Sequence, residues 1–194
     1  RVMMGEIESG RHIGLGDARE HGLTLVERQW IIDSVTKANV EVYPDEGILG
    51  DKNLAILRSV QGFVAVAANQ YRSPGETAVF AGKLVKEGVS NVVVHMAARS
   101  FEDIKVLDDY AALVSDLNIR NIFAVAGDQK KVPKHGFRSG IRMLIALDHL
   151  GYRFDSIGIP GHPVGHRDIP VRSLDLALKL KDQLKSVKIY TKIL

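Results

Sequence analysis

Cysteine is absent from this 194-residue sequence. That excludes a disulfide scaffold, a thiolate nucleophile and cysteine-based metal or iron–sulfur sites. Long apolar runs are missing too, since no stretch approaches the roughly 18–20 residues of a membrane span. Glu6 and Glu8 interrupt the start too soon for Arg1-Val2-Met3-Met4-Gly5 to read as a signal peptide. No G-x-G-x-x-G follows the first strand, so a Rossmann dinucleotide site has no support. No run of five like charges occurs, and aromatics make up 6% of the residues. The expectation is a cytoplasmic protein that touches neither membrane nor nucleic acid.

The net charge of +3 is a small excess, 26 cationic residues against 23 acidic ones. Lys130, Lys131, Lys134, His135 and Arg138 form the densest basic cluster, in one expected loop. It reads as a solvated loop or as a contact for phosphate or another anion. Nucleic acid ranks last, because the cluster lacks interleaved aromatics.

What is present is a regular alternation. Short β-branched runs occur at 63–67, 91–95, 121–125, 156–159 and 187–190, most of them followed by Gly, Pro or polar residues. Each reads as a strand buried on both faces. Between them lie helical patterns at 75–87, 101–117, 139–150 and 173–185, the third ending at Gly151. Repeated βα units of about 30 residues imply parallel strands joined by right-handed crossovers. Earlier, 2–7 reads as a first strand and 23–37 as a helix, with a further short strand at 39–43 and a helix near 52–60.

Polar residues stand just after successive strands: Asn69 and Gln70, His95, Asp128, His162 and His166. The carboxyl ends of barrel strands converge on one mouth, where such residues would share a site. The expected fold is therefore α/β, a (β/α)8 TIM-barrel type, with residues 1–194 forming a single barrel domain. About six strands are recognisable where a closed barrel needs eight, so the barrel is expected to be incomplete at its C-terminal end. A homo-oligomer or a partner chain would complete it.

Three segments carry a resemblance to a known family. Val94-His95-Met96-Ala97-Ala98-Arg99 is followed by Ile122-Phe123-Ala124-Val125-Ala126-Gly127-Asp128, and after the next helix by Gly161-His162-Pro163-Val164-Gly165-His166. In order and spacing the set resembles the flavin-binding barrel of the methylenetetrahydrofolate reductase family, over about residues 60–190. The resemblance implies FAD as cofactor, NADH or NADPH as electron donor and a folate-type small molecule as substrate. The reaction would be reduction of 5,10-methylenetetrahydrofolate to 5-methyltetrahydrofolate, or its reverse. It places His95, Gly127, Asp128, Phe137, Arg138, His162, His166, Asp175 and Lys181 at cofactor-binding positions. Asp128 would also tune the electrophile, and Glu6 would be the acid. No metal is implied.

The sequence departs from the family pattern at Ala67, where the family has Thr, and at Ala126, His162 and Val164. Those departures keep a second reading open, a flavin-free barrel subunit that binds folate or a partner protein. Plainer readings also stand beside each residue. Asp128 could be a turn or helix N-cap residue, His95 a hydrogen-bonded rim residue and Glu6 a surface carboxylate. His162, His166 and Asp168 could instead supply nitrogen and oxygen ligands to a metal.

Overall fold

The computed structural model describes residues 24–29, 37–68, 71–129, 134–161, 170–182 and 189–193. Six strands form one sheet: β1 (Val40–Val42), β2 (Val64–Val66), β3 (Val92–Ala97), β4 (Asn121–Val125), β5 (Ser156–Gly161) and β6 (Ile189–Ile193). Five helices connect them in alternation: α1 (Asp51–Ser59), α2 (Pro74–Lys86), α3 (Ile104–Asp116), α4 (Gly140–His149) and α5 (Val171–Asp182). Every pairing is parallel, and the spatial order follows the chain order from β1 to β6. The expected strands at 63–67, 91–95, 121–125, 156–159 and 187–190 are all present, and 39–43 supplies β1. The strand expected at 2–7 lies outside the described residues.

Chain order without reversal has a physical consequence. Right-handed crossovers that always step the same way put every helix on the same face of the sheet. The core reflects this. Val64, Val66, Val92, Val94, Met96, Ile122, Ala124, Ile157 and Ile159 point toward the helices, packing with Leu84 of α2, Leu107 of α3 and Leu147 of α4. Alternate positions Ala65, Val93 and Phe123 form a separate small cluster on the opposite face. That split is the two-residue period of a strand. A doubly wound sheet would instead reverse its order and open a crevice at the reversal; this sheet has no reversal.

Local chemistry starts three of these helices. Ser73 and Glu76 form a capping box at α2: Ser73 Oγ accepts from Glu76 N at 3.2 Å, and Glu76 Oε2 accepts from Ser73 N at 2.8 Å. Pro74 occupies the first turn, where its missing N–H costs nothing. Asp103 caps α3 by accepting from Val106 N at 2.9 Å. α4 begins at Gly140, where an added Cβ would lie 3.2 Å from the Ala124 carbonyl oxygen. The absent side chain lets α4 start directly against β4. α4 ends as expected at Gly151, whose φ of +87° suits glycine.

At the amino ends of the strands, polar side chains tie neighbours together. Ser156 Oγ donates to Asn121 Oδ1 at 2.6 Å, joining β5 to β4. Phe63 N donates to Asn39 Oδ1 at 2.9 Å, and Arg120 pairs with Asp155 at 3.2 Å. Tyr152, in the loop entering β5, donates to Asp108 Oδ1 at 2.7 Å; that bond is the main cause pushing its hydroxyl pKa up to about 12.

Candidate functional site at the carboxyl ends of the strands

In a parallel sheet the loops leaving the strands all lie at one end, so that end gathers side chains from every βα unit. On the face away from the helices, Glu41 of β1 stands in register with Ala65 of β2 and Val93 of β3. His95 is two residues further along β3. Its Nε2 lies 4.0 Å from Glu41 Oε2, and the two side chains are 10% and 36% exposed. They belong to strands two spacings apart, roughly 9–10 Å. The methyl group of the intervening Ala65 leaves room for both side chains to reach across β2. The His95 ring also packs on Phe123 of β4, with centroids 4.8 Å apart and planes tilted by 37°. Phe123 is buried, so the carboxylate–imidazole pair rests beside an apolar floor.

The loop leaving β4 carries Asp128, and the turn after β3 holds that loop. Arg99, in the 3-10 turn Ala98–Ser100, donates its backbone N–H to Ala126 O at 3.0 Å. Its Nη1 donates to Gly127 O at 3.2 Å and Gln129 O at 3.3 Å. Gln129 Nε2 donates back to Ser100 Oγ at 2.7 Å. Gly127 has φ of +88°, and a Cβ there would meet Ala97 Cβ at 3.1 Å and Gln129 Oε1 at 2.9 Å. Glycine is required both by the left-handed backbone and by the close approach of β3. Asp128 itself is exposed.

The expected site residues divide into three groups. His95, Gly127 and Asp128 lie at the carboxyl ends of adjacent strands β3 and β4. Phe137 and Arg138 lie just before α4: Phe137 packs against the helix-side core, which accounts for its partial burial, and Arg138 is exposed. Asp175 is exposed on α5. Glu6, His162, His166 and Asp168 lie outside the described residues, as do Asn69, Gln70 and the side chain of Lys181. Among the described residues no group of three or more His, Asp or Glu side chains could hold a metal ion. Nor is any described helix long and apolar enough to cross a membrane.

Two residues escaped the reading of the sequence. Glu41 stands between two valines in β1, and a single carboxylate at the middle of such a run must face opposite to its neighbours. That was a usable signal, but the acid's role went to Glu6 instead. Arg99 follows its strand directly, and nothing local in the sequence points it at the next loop. No family model matches the chain, and no curated protein matches it in sequence.

Proposed function

We propose that this chain is a flavin- and folate-linked oxidoreductase built on a (β/α)8 barrel, of which the six parallel strands are the described arc. In this reading it reduces 5,10-methylenetetrahydrofolate to 5-methyltetrahydrofolate or runs the reverse, with NADH or NADPH as electron donor. The observation that carries the proposal is the Glu41–His95 pair, 4.0 Å apart on the sheet face away from the five connecting helices and beside the buried ring of Phe123. An acid–base pair next to an apolar surface is what a planar, partly polar ligand needs for both docking and proton transfer.

The residues present suit an isoalloxazine ring. Gly127 and Ala97 keep the rim free of bulk, and His95 supplies a polar edge over the buried Ala65, Val93 and Phe123. FAD, when bound, supplies the hydride chemistry. The protein's part is acid–base and electrostatic. Asp128, exposed at the mouth, favours a cationic iminium form of the folate one-carbon unit. Glu41 takes over the acid's role given to Glu6 on sequence grounds: its carboxyl proton passes to the amine nitrogen released as the folate ring opens. His95, beside it, is placed to return that proton. His162, His166, Asp175 and Lys181 remain the residues that the family resemblance assigns to the cofactor's remaining contacts.

One observation favours a flavin-free folate- or partner-binding subunit. Ala67 is buried, its N–H donated to Val42 O at 2.9 Å, and it offers no hydroxyl where the family has Thr. A visible spectrum of the purified protein, before and after adding FAD, separates the readings. Bands near about 370 and 450 nm that bleach with NAD(P)H are expected for the flavoenzyme. A colourless protein that takes up no FAD would overturn it in favour of the flavin-free subunit.

A further inference from the structure

We infer that Arg99 is a positioning residue whose guanidinium sets the 126–129 loop and thereby the place of the Asp128 carboxylate. The functional half of this inference rests on the role proposed above for Asp128. The geometric half rests on hydrogen bonds alone.

Three contacts from Arg99 bracket Asp128 on both sides. Its backbone N–H holds Ala126 O, and one nitrogen of its side chain holds the carbonyls of Gly127 and Gln129 together. The Gln129 side chain closes the bracket onto Ser100, the residue following Arg99. The left-handed Gly127 makes the bend that turns its carbonyl toward the guanidinium. Arg99 Nε is buried and has no hydrogen-bond partner among the described residues. A charged donor is therefore held in a partly buried place without all its bonds made, which is costly unless the remaining bonds fix something useful. Asp128 makes no hydrogen bond or ion pair among the described residues, so its position is inherited from the backbone on either side. Arg99 does not reach the reacting atoms in this reading. It acts through the loop.

A lysine reproduces this bracket only in part. Both side-chain bonds come from the single nitrogen Nη1, so an ammonium keeps the charge and enough donors but not the fixed plane that aims them. Arg99→Lys should therefore keep the charge and part of the order, whereas Arg99→Ala should lose both.

The test uses the full chain and two readouts. The first is amide hydrogen exchange at position 99, whose N–H is held by Ala126 O, in the flavin-free protein. Arg99→Ala should speed exchange there by about tenfold or more, with the protection of β3 and β4 kept, and Arg99→Lys should fall between. Gln129→Ala provides a milder variant of the same bracket should Arg99→Ala not fold. The second readout is hydride transfer from NAD(P)H in FAD-loaded protein. Arg99→Ala should lower kcat by about 10- to 100-fold with little change in KM for the folate, as a misplaced carboxylate does. Combined with Asp128→Asn it should cost no more than the worse single change.

Unchanged exchange in Arg99→Ala, or in Gln129→Ala and Arg99→Lys together, would overturn the inference. So would a loosened loop with full kcat while Asp128→Asn is itself impaired. If Asp128→Asn is fully active, the proposed role of Asp128 fails, and the Arg99 bracket stands or falls on the exchange alone.

Discussion

The two ends of this parallel sheet use polar residues in opposite ways. At the amino ends, polar side chains bond to one another across strands and loops, as with Ser156 and Asn121, Arg120 and Asp155, Tyr152 and Asp108. At the carboxyl ends, Arg99 does the tying by gripping backbone carbonyls, while Glu41 and His95 pair on the face away from the connecting helices and Asp128 is exposed. Carboxylates and imidazole held together by backbone-level scaffolding can serve a ligand; those locked in short mutual bonds serve the fold. The same covalent parts, set at opposite ends of the same strands, divide into chemistry and stability.

The sharpest way to break that division is to alter the carboxyl ends. On the proposed function, Glu41→Gln and Asp128→Asn should each lower folate-dependent turnover by about 100-fold or more, with the melting temperature nearly unchanged. Steady-state kinetics beside a thermal melt would check it; a fallen melting temperature with intact turnover would place both residues with the structural end. The opposite result is expected from Ser156→Ala. Ser156 is buried, and its loss leaves the Asn121 carbonyl without its donor, a cost of about 1–3 kcal/mol read from chemical denaturation. On the proposed function, FAD affinity should not move.

A smaller effect separates the ends by pH. The bond to Asp108 favours the protonated Tyr152 hydroxyl, whose pKa is raised from 10.0 to about 12 in the folded protein. The stabilisation is therefore complete below about pH 10 and is lost as pH rises toward 12. Tyr152→Phe should remove that alkaline leg of the stability profile, measured by denaturation between pH 9 and about 12, and leave any pH dependence of turnover near neutrality untouched. Smallest of all, Tyr110→Phe removes a buried hydroxyl that has no hydrogen-bond partner among the described residues. It should change stability by less than about 1 kcal/mol, toward greater stability, because the phenyl ring keeps its packing on Phe101. A loss of several kcal/mol would show that the hydroxyl is bonded in solution.

Much of the fold was legible because it is written locally. The run Asn121–Val125 is β4 to the residue, and Gly151 ends α4 because glycine takes the left-handed backbone at little cost. The site was less legible. Gly127-Asp128 announced a turn at the end of a strand, and His95 announced a polar residue where apolar ones were expected. Their partners were harder to find: alternation in β1 sets the face that Glu41 takes but not the residue it meets, and Arg99 reaches a loop on the next strand. Phe137, expected as a cofactor contact, also packs against the helix-side core, a contact the sequence did not announce.

By itself, then, the sequence determined the alternation of strand and helix, the parallel pairing that such alternation forces, the helices near 75–87, 101–117 and 139–150, and the stop at Gly151. These follow from side-chain periodicity and backbone preference, which act within a few residues. Alternation alone suits a doubly wound sheet as well as a barrel; the tertiary structure decided that the strands add in chain order without reversal, which leaves one face free of the five connecting helices. It also decided that Glu41 reaches His95 over Ala65, and that Arg99 brackets Asp128. Those are matters of register and of contacts between distant segments, fixed only when burial selects one arrangement of the whole sheet.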